Sequence, residues 1–269
     1  MAGNNREPGR SVLSKALAIL DAFAQGPQRL TLTDLVRHSG LPQATVHRLA
    51  GELQAWGALE RDDKGRYAIG ARLWRLGIAA PGRQGLRELA LPYMQDLYAA
   101  THENVQLAVL EGDQALYVEH IKGHEAVPIV TEVGGGLPLH ATGVGKVLLA
   151  YADPALVREV ISHGLRSMTP YTVVMPGRLV RQLERIRAAG IAVTREEMLL
   201  GTVSVAAPIF GAGREVVAAL SVVVRSGQAE LRRLEPAVRT AAAGISREAA
   251  RAGLRAPAEA RAGRARAAR

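Results

Sequence analysis

Cysteine is absent from the 269 residues. That excludes disulfides, Cys-ligated zinc and thiol nucleophiles together, and is compatible with the cytosol. Aromatic residues are scarce at 4%, so a core must be built mostly from Ala, Val, Leu and Ile. No run reaches the ~18–20 apolar residues of a membrane span. The longest candidate, Val216 to Val224, reads as a buried strand. The first ten residues are polar and lack the apolar centre of a signal peptide. The expectation is a soluble, cytoplasmic chain with no membrane partner.

Catalytic motifs are missing too. Gly145-Lys146 lacks both the earlier Gly and the following Ser/Thr of a phosphate-binding P-loop. Neither a G-x-S-x-G elbow nor an HExxH helix occurs. His120 and His124 are four apart, but Gly123 and a strand-like context argue against a helical metal pair. They read as surface or loop histidines, and His140 as structural. No catalytic residue, metal or cofactor is expected; an enzyme with an incidental N-terminal bundle stays the outlying alternative.

What is present is globular: 48% hydrophobic and 22% charged residues, enough for one large or two modest domains. Net charge is +9, which points toward nucleic acid, but its distribution tempers that. Residues 1–70 hold nine Lys/Arg against seven Asp/Glu, and residues 255–269 five Arg against one Glu. Any DNA-binding signal therefore lies in pattern rather than charge.

The pattern is specific. Leu13, Ala16, Leu17, Leu20, Phe23 and Ala24 have helical spacing. Thr31 and Asp34 match a capping box, with Leu30 and Leu35 placed for a hydrophobic staple; a helix is expected from near Thr31 to Ser39. Gly40-Leu41-Pro42 ends it, and a third helix is expected to run to Trp56. Leu59–Arg61 and Arg66–Ile69 flank the turn Asp62-Asp63-Lys64-Gly65, a hairpin signal. Three helices and a hairpin in about seventy residues is the order of a winged helix-turn-helix. The spacing of Val36, Gly40, Val46 and Leu49 fits the turn and the helix–helix lock. Small or polar residues, Ala44, Arg48, Gly51 and Ala55, fill the opposite face of the third helix. Gln43, Ala44, Thr45, His47 and Arg48 cluster at its N-terminal half, where base edges are read. Arg grips guanine and Gln grips adenine bidentately. Arg66, beside the turn, is a candidate phosphate or minor-groove contact, with an ordinary solvated Arg as the alternative. A small bundle with a solvated polar face is the plainer reading of the whole segment.

Residues 1–10 are expected to be a flexible arm, 11–70 the winged domain and 71–83 a linker helix. Residues 84–254 are expected to form a second, α+β domain, opening with a helix over about 84–100 that is kinked near Pro92. A hairpin follows, with strands 105–110 and 115–121. Residues 255–269, of Ala, Arg, Gly and Pro with one Glu, read as a disordered basic tail.

The sequence resembles the IclR family of regulators over about residues 11–253. The resemblance is carried by Gly40-Leu41-Pro42-Gln43-Ala44-Thr45-Val46-His47-Arg48-Leu49 and by Tyr67-Ala68-Ile69-Gly70. Downstream it is carried by Leu137-Pro138-Leu139-His140-Ala141-Thr142-Gly143-Val144-Gly145-Lys146. Gly201 with Ser204-Val205-Ala206-Ala207-Pro208, and then Val217-Ala218-Ala219-Leu220-Ser221, complete it. The resemblance implies a GAF-like effector domain with an antiparallel sheet. It also implies a dimer or dimer of dimers on double-stranded, palindromic operator DNA, and an organic acid or aromatic metabolite as effector. Read from its residues alone, Thr142 caps a helix that starts at Gly143, whose free N–H groups attract a carboxylate. The glycines leave room for a ligand to approach the backbone. A purely structural cap is the alternative. The resemblance implies that Gly143 and Val144 donate to the effector and that Thr194, Ser204, Ser221 and Val223 line its pocket. Three positions depart from the family's usual residues. Gln43 stands where Lys is frequent, Thr194 where some members have an acid, and Val223 where some have a second Ser. A regulator whose second domain only dimerises, without a ligand, remains the runner-up.

Overall fold

The computed structural model describes residues 11–24, 27–78, 83–124, 126–129 and 132–256. The expected arm over 1–10, and residues 257–269 of the expected 255–269 tail, lie outside them. Ala256, within that expected tail, is instead buried in a hydrophobic core, its N–H donating to Glu215 Oε1 at 3.3 Å. The chain divides into two compact units, separating between Ala80 and Pro81.

In the first unit, helix α1 (Val12–Asp21) starts at Ser11, whose hydroxyl accepts from the Ser14 N–H. Helix α2 (Leu32–Ser39) begins with the expected capping box: Thr31 Oγ1 accepts from Asp34 N, and Asp34 Oδ2 accepts from Thr31 N at 3.0 Å. The staple residues Leu30 and Leu35 are fully buried. Gly40 ends α2 at φ 66°, the left-handed conformation that glycine adopts without Cβ strain. Helix α3 (Gln43–Trp56) then buries Val46, Leu49 and Ala50 against Ile19, Leu35 and Leu41. Strands β1 (Leu59–Arg61) and β2 (Tyr67–Ile69) form the wing hairpin. Leu30 also bridges Tyr67 through two backbone hydrogen bonds, adding a third edge that spacing did not reveal. Helix α4 (Ala71–Ile78) occupies the first part of the expected 71–83 linker helix; residues 79–82 lie outside the described residues.

The second unit starts with helix α5 (Arg83–Thr101), which contains Pro92. Strands β3 (Asn104–Glu111) and β4 (Gln114–Ile121) follow as the expected hairpin, then β5 (Gly136–Pro138) and helix α6 (Gly143–Tyr151). Helices α7 (Pro154–Ser162) and α8 (Pro176–Ala189) precede β6 (Ala192–Arg195), β7 (Thr202–Phe210) and β8 (Val216–Arg225). Helix α9 (Leu231–Arg251) is followed by a short segment that returns to the core, where Ala212 N donates to Leu254 O and Ala256 is buried. The six strands make one antiparallel sheet in the order β5-β4-β3-β8-β7-β6.

Strand periodicity assigns the two faces. Val105, Leu107, Val203, Val205, Leu220 and Val222 pack with α5 and α9. Ala108, Ala206 and Ala219 point the other way, toward α6 and α8. Small residues on this second face let α6 lie close to the sheet, and every residue from Gly143 to Ala150 is buried. Burial on both faces is why the β7 and β8 segments read as nearly continuous apolar runs.

Candidate functional site

The outer face of α3 comes first. Gln43, Ala44, His47, Arg48, Gly51, Glu52 and Ala55 are exposed, and Thr45 is half-buried. The expected base-reading residues thus share one accessible helix face, opposite the buried Val46 and Leu49. No side chain caps α3. Thr45 N and Val46 N reach back to Pro42 O, so the N–H groups of Gln43 and Ala44 have no helical acceptor and suit a phosphate. Arg48 is not idle: its Nη1 pairs with Glu52 one turn on. Arg66 is tied as well. Its backbone N–H and Nε both donate to Asp62, at 2.9 and 3.0 Å, and Arg29 donates to Asp62 Oδ2 at 2.9 Å. These bonds, the Arg66 backbone donor foremost, hold the Asp62 carboxyl down at about 2. The wing turn is therefore a preformed cluster in which Asp62 orders two guanidinium groups.

The second unit contains a cavity of about 50 Å³, room for a handful of waters or a small organic molecule at ~10–15 Å³ per water. Gly143, Val144, Thr194, Ser204, Ser221 and Val223, the six effector candidates, all line it. Sheet register explains how residues so distant in sequence meet. Val223 pairs with Ser204 and Ser204 with Thr194, one row across three strands, while Ser221 lies two residues along β8 on the same face. The start of α6 faces this row. Thr142 Oγ1 accepts from Gly145 N at 3.1 Å and donates to Pro138 O at 3.1 Å. Thr142 thus caps the helix as expected, leaving the N–H groups of Gly143 and Val144 without a helical acceptor.

Several lining residues carried no sequence signal. Gln106 on β3 takes a hydrogen bond from Ser221 Oγ at 3.5 Å. Tyr117 on β4 also lines the cavity; burial raises its phenol well above the usual range, with a hydrogen bond to Thr142 opposing. Glu197, Met198 and Leu199, between β6 and β7, supply another wall. That wall is anchored: Thr169 Oγ1 donates to Glu196 O and Thr172 Oγ1 to Glu197 O, each at 2.6 Å. Lys146 Nζ donates to both Glu197 oxygens at 2.6 Å and to Gln182 Oε1 at 2.7 Å. The side chains of Lys146 and Glu197 are only 2% and 7% exposed. Burial pulls the Lys146 ammonium below its ordinary pKa, while Glu197 opposes that fall.

The glycines at the start of α6 have a packing role that spacing did not reveal. A Cβ on Gly145 would lie 2.6 Å from both Leu139 Cα and Leu139 O, and one on Gly143 would lie 2.6 Å from Ser204 Oγ. Their smallness lets α6 sit against the Leu139 backbone and β7. Gly145→Ala is therefore expected to destabilise the second unit by roughly 1–3 kcal/mol, since backbone cannot give way. Gly51→Ala on α3, where an added methyl meets nothing within 4 Å, should stabilise slightly through helix propensity. Thermal melts of the two variants check this, and equal melts would refute the packing role of Gly145.

His120 is corrected by the structure. It lies in β4 and is half-buried, with Nε2 sealed from solvent, rather than on the surface or in a loop. His124 is exposed, as expected. His140 is buried and structural, with Nε2 2.9 Å from Arg166 O. Among the described residues no group of His, Asp and Glu could hold a metal, and no helix is long and apolar enough to cross a membrane.

A capped helix-turn-helix with a wing, followed by a unit built around a cavity at a helix start, defines a DNA-binding transcriptional regulator. Residues 12–63 match the IclR helix-turn-helix domain, and residues 79–247 match the bacterial transcriptional regulator IclR C-terminal domain. The chain belongs to the IclR family. It is 37% identical over 244 residues to the glycerol operon regulatory protein of Streptomyces coelicolor, covering 88% of this chain and 95% of that one. It is 31% identical over 214 residues to the transcriptional repressor IclR of Escherichia coli, covering 78% of each. Among solved structures, an IclR homolog from Microbacterium hydrocarbonoxydans complexed with 4-hydroxybenzoate superposes with a TM-score of 0.83. That match has 35% identity and covers 88% of this chain and 98% of the other. These relatives are regulators, not enzymes.

Proposed function

We propose that the second unit, a GAF-like sensor, binds a small organic acid and that this binding modulates the grip of the first unit on operator DNA. The ligand carboxylate sits on the N–H groups of Gly143 and Val144 at the positive end of α6. Ser204, Ser221 and Thr194 supply hydroxyls, and Val223 covers the apolar part. In the first unit, Gln43, Ala44, Thr45, His47 and Arg48 meet the major groove, and Arg66 the backbone beside it. The protein works in the cytoplasm as a dimer or dimer of dimers on a palindromic, double-stranded operator, and uses no cofactor.

One observation carries the ligand reading: six residues drawn from α6, β6, β7 and β8 line a single cavity at the Gly143 and Val144 N–H groups, which have no helical acceptor. The relative solved with 4-hydroxybenzoate, itself a carboxylate, supports the same chemistry. Calorimetric titration of candidate acids, paired with gel shifts on DNA upstream of the protein's own gene, tests it. Ser221→Ala is expected to weaken the bound acid by about 0.5–1.5 kcal/mol, one neutral hydrogen bond, and to leave operator affinity without ligand unchanged. A Ser204→Ala/Ser221→Ala double variant that binds the acid as tightly as wild type would place the ligand elsewhere. Operator binding that no acid alters would favour a second unit that only dimerises.

A further inference from the structure

The charges around the cavity say which acids it admits, given the carboxylate reading proposed above. Among the described residues lining it, Glu197 is the one acid, and none is Lys, Arg or His. The buried cation beside Glu197 is Lys146. An ammonium has three N–H donors, and these are taken by Glu197 Oε1, Glu197 Oε2 and Gln182 Oε1. Arg178 repels Lys146 through space but does not line the cavity. His120 pairs with Gln106 across the sheet and so shares the cavity's face, yet it does not line the cavity either. Burial and Lys122 also push its ring toward the neutral form.

One carboxylate can therefore be held by N–H dipoles at the start of α6. A second negative charge on the same ligand would lose its water, face the Glu197 carboxylate and find no uncommitted cation. We propose that the pocket selects monoanionic acids and rejects dianions, dicarboxylates and phosphate monoesters alike, with Glu197 as the specificity-determining residue. Lys146 and Glu197 together leave the wall electrically neutral. Removing only the Glu197 charge leaves an ammonium beside the cavity without its counter-ion. Glu197→Gln should thus gain the ligands that the wild type rejects.

The test is calorimetry on the full-length protein with acids that differ in one charge at nearly equal size. Malonate is compared with monomethyl malonate, and terephthalate with monomethyl terephthalate, with acetate and benzoate as reference monocarboxylates. Wild type is expected to prefer the better-bound monoester over its diacid by roughly a hundredfold or more, the scale of an unpaired buried charge. In Glu197→Gln that ratio is expected to fall by about tenfold or more, through tighter diacid binding. Equal affinity of wild type for a diacid and its monoester overturns the charge selection while leaving the carboxylate reading standing. A folded Glu197→Gln that rejects the diacid as strongly as wild type overturns the assignment to Glu197. If that variant does not fold, the wild-type comparison decides by itself. If wild type binds none of the monocarboxylates at millimolar concentration, the carboxylate reading falls, and the charge selection with it.

Discussion

Lys146→Met is expected to lower the stability of the second unit by about 3–5 kcal/mol, the cost of stranding a buried charge. Lys146 and Glu197 are 2% and 7% exposed, and the ammonium also holds Gln182 on α8. One residue thus ties α6, α8 and the cavity wall together. Breaking the pair leaves the Glu197 carboxylate with the Val173 N–H, at 3.3 Å, as a remaining donor. The double variant Lys146→Met/Glu197→Gln removes both charges and should recover a large share of the loss, because isolated burial of the anion is the dominant cost. Denaturant melts of the two single variants and the double variant form a mutant cycle. Hydrogen exchange at α6 amides assigns the change to this unit. A double variant no more stable than Lys146→Met would mean that packing of the Lys146 stem, not charge, sets its importance.

Arg48→Ala is expected to weaken specific operator binding by about 1–3 kcal/mol for each bidentate base pairing it removes, with the fold and nonspecific binding little changed. Arg48 is 57% exposed on the outer face of α3, while Val46 and Leu49 carry the packing. Its pairing with Glu52 adds a second, opposite expectation. An exposed ion pair contributes at most about 1 kcal/mol, so Arg48 can leave Glu52 for a guanine at small cost. Glu52→Ala removes both that competitor and a negative charge from the exposed face proposed to meet DNA, and should strengthen operator binding modestly. Gel shifts at one fixed salt concentration measure both, since phosphate contacts make affinity salt-dependent. Wild-type affinity in Arg48→Ala would displace α3 from the groove. Weakened binding in Glu52→Ala would mean that Glu52 orients Arg48 rather than competing for it.

The first unit was largely legible before its structure because its determinants are local. Thr31 and Asp34 are three residues apart and satisfy each other's backbone; Gly40 ends a helix by its own conformation; Val46, Leu49 and Ala50 follow one helical period. Interactions within a turn or two are written directly into residue order. What escaped was non-local even here: the Leu30–Tyr67 bridge, and Asp62 gathering Arg29 as well as its neighbour Arg66.

The second unit divides the same way. The cap at Thr142, the β3–β4 hairpin and the buried β8 segment follow from short-range pattern. The effector candidates needed family resemblance, since nothing local joins Gly143 to Ser221. The pairing of Val223 with Ser204 and Ser204 with Thr194 exists only once the sheet has its register. Lys146 and Glu197, separated by 51 residues, look in the sequence like ordinary solvated charges, because Lys and Glu are almost never fully buried unless paired. Tertiary structure supplied the pairing, by packing α6 over small residues of the sheet and holding the Glu197 segment beside it through Thr169 and Thr172. Burial and charge pairing are properties of the assembled layers, so the cavity's wall and its charge could be read only there.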